Sequence, residues 1–115
     1  MRTYSKYKNK KITIDGITFD SQLEANRYCE LKLLYKAGEI SQLRLQPEFE
    51  LIPAFRKNGK TYRKTVYRAD FMYFDKKTGK YIVEDTKGFK TPEYRIKKKL
   101  FEYKHPDLTI TEVTK

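Results

Sequence analysis

The sequence predicts an α/β domain: a mixed sheet flanked by helices and preceded by an N-terminal β-hairpin. Three observations carry that reading. Two segments combine helix caps with apolar periodicity, several short runs are rich in β-branched and aromatic residues, and Asp-Gly and Asn-Gly turns punctuate those runs. A helical segment, a series of strands, a second helical segment and a last strand make a layered α/β order.

The first eleven residues are basic and lack hydrophobic periodicity, so they are expected to form a loose segment. Ile12-Thr13-Ile14, Asp15-Gly16 and Ile17-Thr18-Phe19 then read as a hairpin, because Asp-Gly tolerates the positive φ of a two-residue turn. A helix begins at Asp20 or Ser21, where Ser21 and Glu24 have capping-box spacing, and Gly38 stops it after Ala37. At 100° per residue Leu23, Arg27, Tyr28, Leu31, Leu34 and Tyr35 share one side, with Asn26, Glu30, Lys32 and Lys36 opposite. Glu24 falls within the apolar side, an unusual place for a carboxylate.

Extended segments follow at residues 43–45, 48–55 and 61–74, the last two pairing across Asn58-Gly59. Lys76-Lys77-Thr78-Gly79 makes a turn into a strand over residues 80–86. Thr91 as N-cap and Pro92 at the first helical position open a second helix, which runs to about Tyr103 and ends before His105-Pro106. On it Ile96, Leu100 and Tyr103 share one side, and Arg95 and Lys98 lie away from it. Residues 108–113 alternate and read as a final strand.

Composition narrows the function. The chain's 115 residues make one domain, and 10 Tyr with 7 Phe supply apolar surface that a disordered chain lacks. Lys and Arg number 26 against 15 Asp and Glu, a net +11, which favours a polyanionic partner: nucleic acid first, an anionic membrane second. Neither helix pairs a clean basic face with a broad apolar one, so a membrane partner is not expected. No run approaches the ~20 apolar residues of a membrane span, and the N-terminus lacks the apolar stretch of a secretory signal. A cytoplasmic location follows as the expectation. Cys29 is the only cysteine and His105 the only histidine, too few for a disulfide or a zinc site; His105 reads as a helix-end surface residue.

The chemistry lies on two strands. In Tyr67-Arg68-Ala69-Asp70-Phe71-Met72 a carboxylate interrupts an apolar run. In Val83-Glu84-Asp85-Thr86-Lys87, alternation places Val83, Asp85 and Lys87 on one face and Glu84 on the other. If the strands are neighbours, Asp70 approaches Asp85 and Lys87. Two carboxylates in one small site repel unless a cation neutralises them, and Mg²⁺ suits oxygen ligands and phosphate.

Asp70, a hairpin, then Asp85-Thr86-Lys87, with Glu24 on the preceding helix, resembles the PD-(D/E)XK nuclease superfamily, and within it the small uncharacterised phage and prophage proteins. The resemblance spans nearly the whole chain and implies a restriction-endonuclease-like αβββαβ core. It implies that Asp70 and Asp85 bind Mg²⁺ or Mn²⁺, that Lys87 assists the attacking water, and that Glu24 completes or supports the metal site. The activity implied is hydrolysis of DNA phosphodiester bonds in phage or prophage DNA processing, inside a bacterial host cell. Ala69 stands where the motif's name has proline, and Glu84 beside Asp85 leaves the register open by one residue, although only Asp85-Thr86-Lys87 has the D/E-x-K spacing. Glu24 can also cap its helix through Ser21, which is compatible with a metal role.

From Lys87 to Lys104 inclusive there are seven basic residues, and Lys90, Arg95, Lys97, Lys98 and Lys99 around the second helix are the candidate DNA contacts. Lys outnumbers Arg 19 to 7, and Lys acts as a point charge rather than a bidentate reader of guanine. Binding is therefore expected to be dominated by the DNA backbone, weak in sequence preference and steeply salt-dependent. A homodimer is expected on mechanistic grounds, to cut both strands of a duplex. The alternative is a non-catalytic DNA-binding accessory module on the same fold, which needs no metal.

Overall fold

A computed structural model of the chain describes residues 11–86 and 90–114. Strands β1 (Ile12–Ile14) and β2 (Ile17–Phe19) pair antiparallel across Asp15-Gly16, whose φ values of 55° and 76° are those a tight right-twisted hairpin needs. The Asp15 carboxylate then accepts a hydrogen bond from Tyr28 at 2.9 Å and pairs with Lys32, pinning the hairpin to helix α1 (Gln22–Lys36). Ser21 caps α1 by accepting from the Glu24 N–H at 3.1 Å, and Gly38 follows its end with φ 78°.

Strand β3 (Ile40–Leu45) leads into a long, interrupted hairpin made of β4 (Glu48–Ile52), β5 (Phe55–Lys57), β6 (Lys60–Tyr62) and β7 (Thr65–Arg68). β4 pairs with β7 and β5 with β6, all antiparallel, about Asn58-Gly59. The two extended segments expected at residues 48–55 and 61–74 are thus paired as read but not continuous. Pro53 donates no backbone hydrogen bond to a ladder, and the second segment leaves its strands at residues 63–64 and again at 69–70.

Beyond that hairpin come β8 (Phe71–Asp75), β9 (Lys80–Thr86), helix α2 (Pro92–Lys104) and β10 (Ile110–Val113). The main sheet has the order β10-β9-β8-β3. β3, β8 and β9 run antiparallel, and β10 lies parallel to β9, with α2 in the crossover between them. This is the expected mixed α/β arrangement, with the β4–β7 ribbon inserted between the first two sheet strands.

The sheet separates two apolar clusters. Phe19, Ala25, Tyr28, Leu31, Ile40, Phe71 and Tyr73 pack on the α1 side. On the other side Leu51, Tyr67, Ala69, Val83, Tyr94, Phe101 and Ile110 pack with α2. α2 presents Tyr94 and Phe101 to the core, while Ile96 and Tyr103 are exposed. That corrects the expected apolar side of the helix. The two aromatics seven residues apart, with half-buried Lys97 and Lys98 between them, bury more area than the Ile96–Tyr103 stripe. Phe101 meets Phe49 edge-on at 4.9 Å, and His105, the C-cap, is half-buried rather than at the surface as expected, edge-on to Phe49 and tilted against Phe101. On α1, Tyr35 is exposed and Lys32 half-buried, both opposite to the expectation, because Asp15 draws the lysine toward the hairpin.

Candidate active site

Strand β9 alternates as its sequence implies. Val83 lies in the α2-side cluster, whereas Glu84 points to α1 and is 1% exposed. Arg27 grips Glu84 with two hydrogen bonds, Nε to Oε1 at 2.7 Å and Nη2 to Oε2 at 2.6 Å, and the Tyr73 hydroxyl donates to Oε2 as well. The hydrogen bonds to Glu84 push the Arg27 pKa upward, and burial, then Glu84, pushes Tyr73 upward. Glu84 therefore ties α1 to the sheet.

Asp85, 1% exposed, sits on the α2-facing side, and the Tyr67 hydroxyl donates to its Oδ2 at 2.5 Å. Burial, reinforced by that hydrogen bond, holds the Tyr67 phenol well above its usual pKa, so it remains a donor. Burial and then Glu112 do the same for Tyr94, which also feels the charge of Asp85.

Asp70 lies between β7 and β8, half-buried. Its backbone is held on both sides: its N–H donates to the Glu84 carbonyl at 3.0 Å, and its carbonyl accepts from the Gln46 N–H at 2.8 Å. Its Oδ2 accepts from both the N–H and the hydroxyl of Thr86, each at 2.7 Å. The carboxylate is thus fixed at the end of β9, one residue beyond Asp85.

Glu24 projects from the first turn of α1 and is 4% exposed. Its Oε2 is buried and accepts no hydrogen bond from the described residues. Burial, then the charge of Asp70 and that of Asp20, raises its pKa to about 7, against a smaller opposing pull from the Asp20 backbone and the Gln46 side chain. Asp70 also raises the Tyr67 pKa, so it stands within electrostatic reach of Glu24 on one side and of the Tyr67–Asp85 pair on the other. Asp70 acts on Glu24 through its charge, whereas Asp85 lies on the opposite face of β9 from Glu84 and is held by Tyr67. Among the described residues no group of three His, Cys, Asp or Glu side chains is placed to hold a metal ion. Mg²⁺ does not require three, since it commonly takes one or two carboxylates and completes its shell with water and phosphate. A buried carboxylate oxygen that has no donor among the described residues and feels the charge of Asp70 is a ligand of the kind such an ion takes.

Lys87 lies outside the described residues, as do residues 1–10 of the basic N-terminal segment. Of the candidate DNA contacts, Lys90 and Lys98 pair with Glu112 at 2.8 and 3.3 Å, and Lys97 pairs with Glu93 at 3.0 Å. Those pairings, led by Lys90, hold the Glu112 pKa down at about 2. Arg95 and Lys99 line a shallow cleft with Lys90, Lys98 and Glu112. A second cleft, between β7 and the start of α2, is lined by Tyr67, Arg68, Thr91, Tyr94 and Lys97 and so borders the Asp85 side of the site.

The sequence reading did not single out Tyr67, Thr86 or Gln46. Tyr67 reads there as one more aromatic of an apolar strand, and only the fold brings its hydroxyl to Asp85, 18 residues away. The spacing of Asp70 and Thr86 offered no local signal either.

Fold and site together define a mixed α/β domain with Asp70 and Asp85 anchored separately near the end of its central strands. The chain belongs to the family described as "Protein of unknown function (DUF1064)", whose model matches residues 4–115. Neither the curated proteins nor the solved structures gave a match. Among the described residues no helix is long and apolar enough to cross a membrane.

Proposed function

We propose that this protein is a divalent-metal-dependent DNA endonuclease of the PD-(D/E)XK type, acting in phage or prophage DNA processing inside a bacterial cell. One observation carries the reading: on buried Glu24, Oε2 has no hydrogen-bond donor among the described residues, and the carboxylate feels the charge of the anchored Asp70. A folded chain tolerates that arrangement more readily when a cation is there to balance it.

Asp70 is the central ligand in this proposal, positioned by Thr86, with Glu24 and Asp85 on either side. When bound, Mg²⁺ or Mn²⁺ supplies positive charge for the scissile phosphate and acidifies water. Tyr67, kept protonated, orients the Asp85 carboxylate. Lys87 orients the attacking water or screens charge developing on the phosphate. Arg95 and Lys99, which have no carboxylate partner among the described residues, attract the DNA backbone. A homodimer is the arrangement by which a chain of this size cuts both strands.

Nicking of supercoiled plasmid with Mg²⁺ or Mn²⁺ tests the reading. Wild type is expected to nick, and Asp70→Asn, Asp85→Asn and Lys87→Ala to lose nicking; equal rates in all four proteins would remove the assigned roles. The orientation of Asp85 away from Glu24 favours a second reading, a DNA-binding module without catalysis. Calorimetric titration with Mn²⁺ separates the two, since the module shows no metal binding that Asp70→Ala abolishes.

A further inference from the structure

The β5–β6 ribbon stands apart from both apolar clusters. Residues 52–64 are all exposed, and residues 53–64 carry Arg56, Lys57, Lys60, Arg63 and Lys64 with no Asp or Glu among them. On and just before α2, by contrast, Lys90, Lys97 and Lys98 are already paired with carboxylates. Among the described residues the ribbon thus carries more unneutralised charge than the helix.

An isolated two-stranded ribbon is marginal in water, yet this one has its own bracing. Phe55 and Tyr62 are register partners and stack with centroids 4.8 Å apart and planes at 12°. Lys57 and Lys60, also register partners, share that face, and the Lys60 ammonium lies 5.1 Å from the Tyr62 ring centre. On the other face Arg56 donates to the Thr61 hydroxyl at 2.8 Å. The radius of gyration, 16.6 Å, exceeds the ~13 Å of a compact chain of this length, in keeping with a projecting arm.

We infer that the ribbon is a duplex-DNA arm that enters the major groove, with its cations reaching the phosphates on either side. The inference rests on the proposal that the partner is DNA, but not on hydrolysis. A major groove about 12 Å wide admits a two-stranded ribbon, whereas the deep, narrow major groove of A-form RNA does not. Position agrees with shape. At about 3.3 Å per residue the eleven steps from Gly59 to Asp70 span at most about 36 Å, close to one turn of B-DNA. A duplex that runs past the Asp70 end of the sheet therefore reaches the ribbon within a single turn. The bracing limits the ordering cost of binding.

Fluorescence anisotropy on the full chain in EDTA tests this with a labelled DNA duplex, the matching single strand and an RNA duplex. Lys57→Gln/Lys60→Gln and Arg56→Gln/Arg63→Gln are each expected to weaken duplex DNA binding about tenfold and to reduce the salt slope by about 2. Single-strand and RNA affinities should change far less. Lys76→Gln/Lys77→Gln, in the turn between β8 and β9, removes equal charge elsewhere and should leave duplex affinity near wild type. Unchanged duplex affinity in the ribbon variants, parallel losses on all three nucleic acids, or an equal loss in the turn variant would each overturn the assignment. Because no metal or cleavage is needed, a chain that never nicks can still support the arm, and one that nicks can still refute it.

Discussion

Asp70, just before β8, lies within electrostatic reach of Glu24 on the first turn of α1, its charge helping burial to lift the Glu24 pKa to about 7. Two acids from distant parts of the chain thereby act on one another, and among the described residues no donor relieves Glu24 Oε2.

That coupling gives a pH prediction. Folded Glu24 keeps its proton to about pH 7, while an unfolded glutamate loses it near 4.5. Its favourable contribution is complete below pH 4.5 and lost as pH rises through 7. Glu24→Gln should therefore stabilise the metal-free protein at pH 8 by about 1–2 kcal/mol, after allowance for solvent screening, with little gain at pH 4. Urea unfolding at the two pH values measures this. The same variant should lose metal-dependent nicking, a trade of stability against activity.

Tyr67→Phe removes the donor to Asp85 Oδ2 while keeping the ring in the core. The expected cost is about 1–3 kcal/mol, because a buried carboxylate loses a hydrogen bond. If Asp85 binds metal, Mn²⁺ affinity should also fall about 10- to 100-fold. Calorimetry at a temperature where both proteins are folded separates the two effects.

Arg27→Met strips Glu84 of its guanidinium and leaves Tyr73 as the one side-chain donor to that carboxylate among the described residues. Breaking this buried pair from one side should cost about 3–5 kcal/mol in chemical denaturation. A loss below 1 kcal/mol would show that Glu84 does not tie α1 to the sheet.

Glu112 has the opposite sign from Glu24. Its pKa is lowered to about 2, so its contribution is present above pH 4.5 and is lost as pH falls through 2. Glu112→Gln should cost about 1 kcal/mol at pH 7 and nothing at pH 2. By freeing Lys90 and Lys98 it should also tighten DNA binding and steepen its salt dependence. Anisotropy across a salt series reads the second effect.

Much of this fold is local and therefore legible from the chain. Asp15-Gly16 and Asn58-Gly59 mark their turns because few residue pairs accept positive φ in succession. Ser21 and Thr91 mark helix starts because their hydroxyls accept from the N–H three residues on. Glu24 is conspicuous in the sequence as a carboxylate on an apolar helical side, and it is buried. Alternation along β9 likewise separates Glu84 from Asp85.

What periodicity could not supply is the identity of partners across the fold. Arg27 meets Glu84 57 residues later, and the sequence places Arg27 only on an apolar side, without naming the group that holds it there. Two aromatics, Tyr94 and Phe101, win the core from Ile96 and Tyr103 because the opposing surface of Phe49, Tyr67 and Val83 receives them. Asp85 bonds to Tyr67 rather than facing Glu24 for the same kind of reason: the pleat sets which side a residue takes, but only packed neighbours set what it touches. By itself the sequence determined the elements, their turns and the acids worth watching, since these follow from backbone geometry within a few residues. Tertiary structure alone decided which acids are balanced, by Arg27, Tyr67 or Thr86, and which one, Glu24, keeps an oxygen without a donor, since desolvation and charge depend on everything packed around a group.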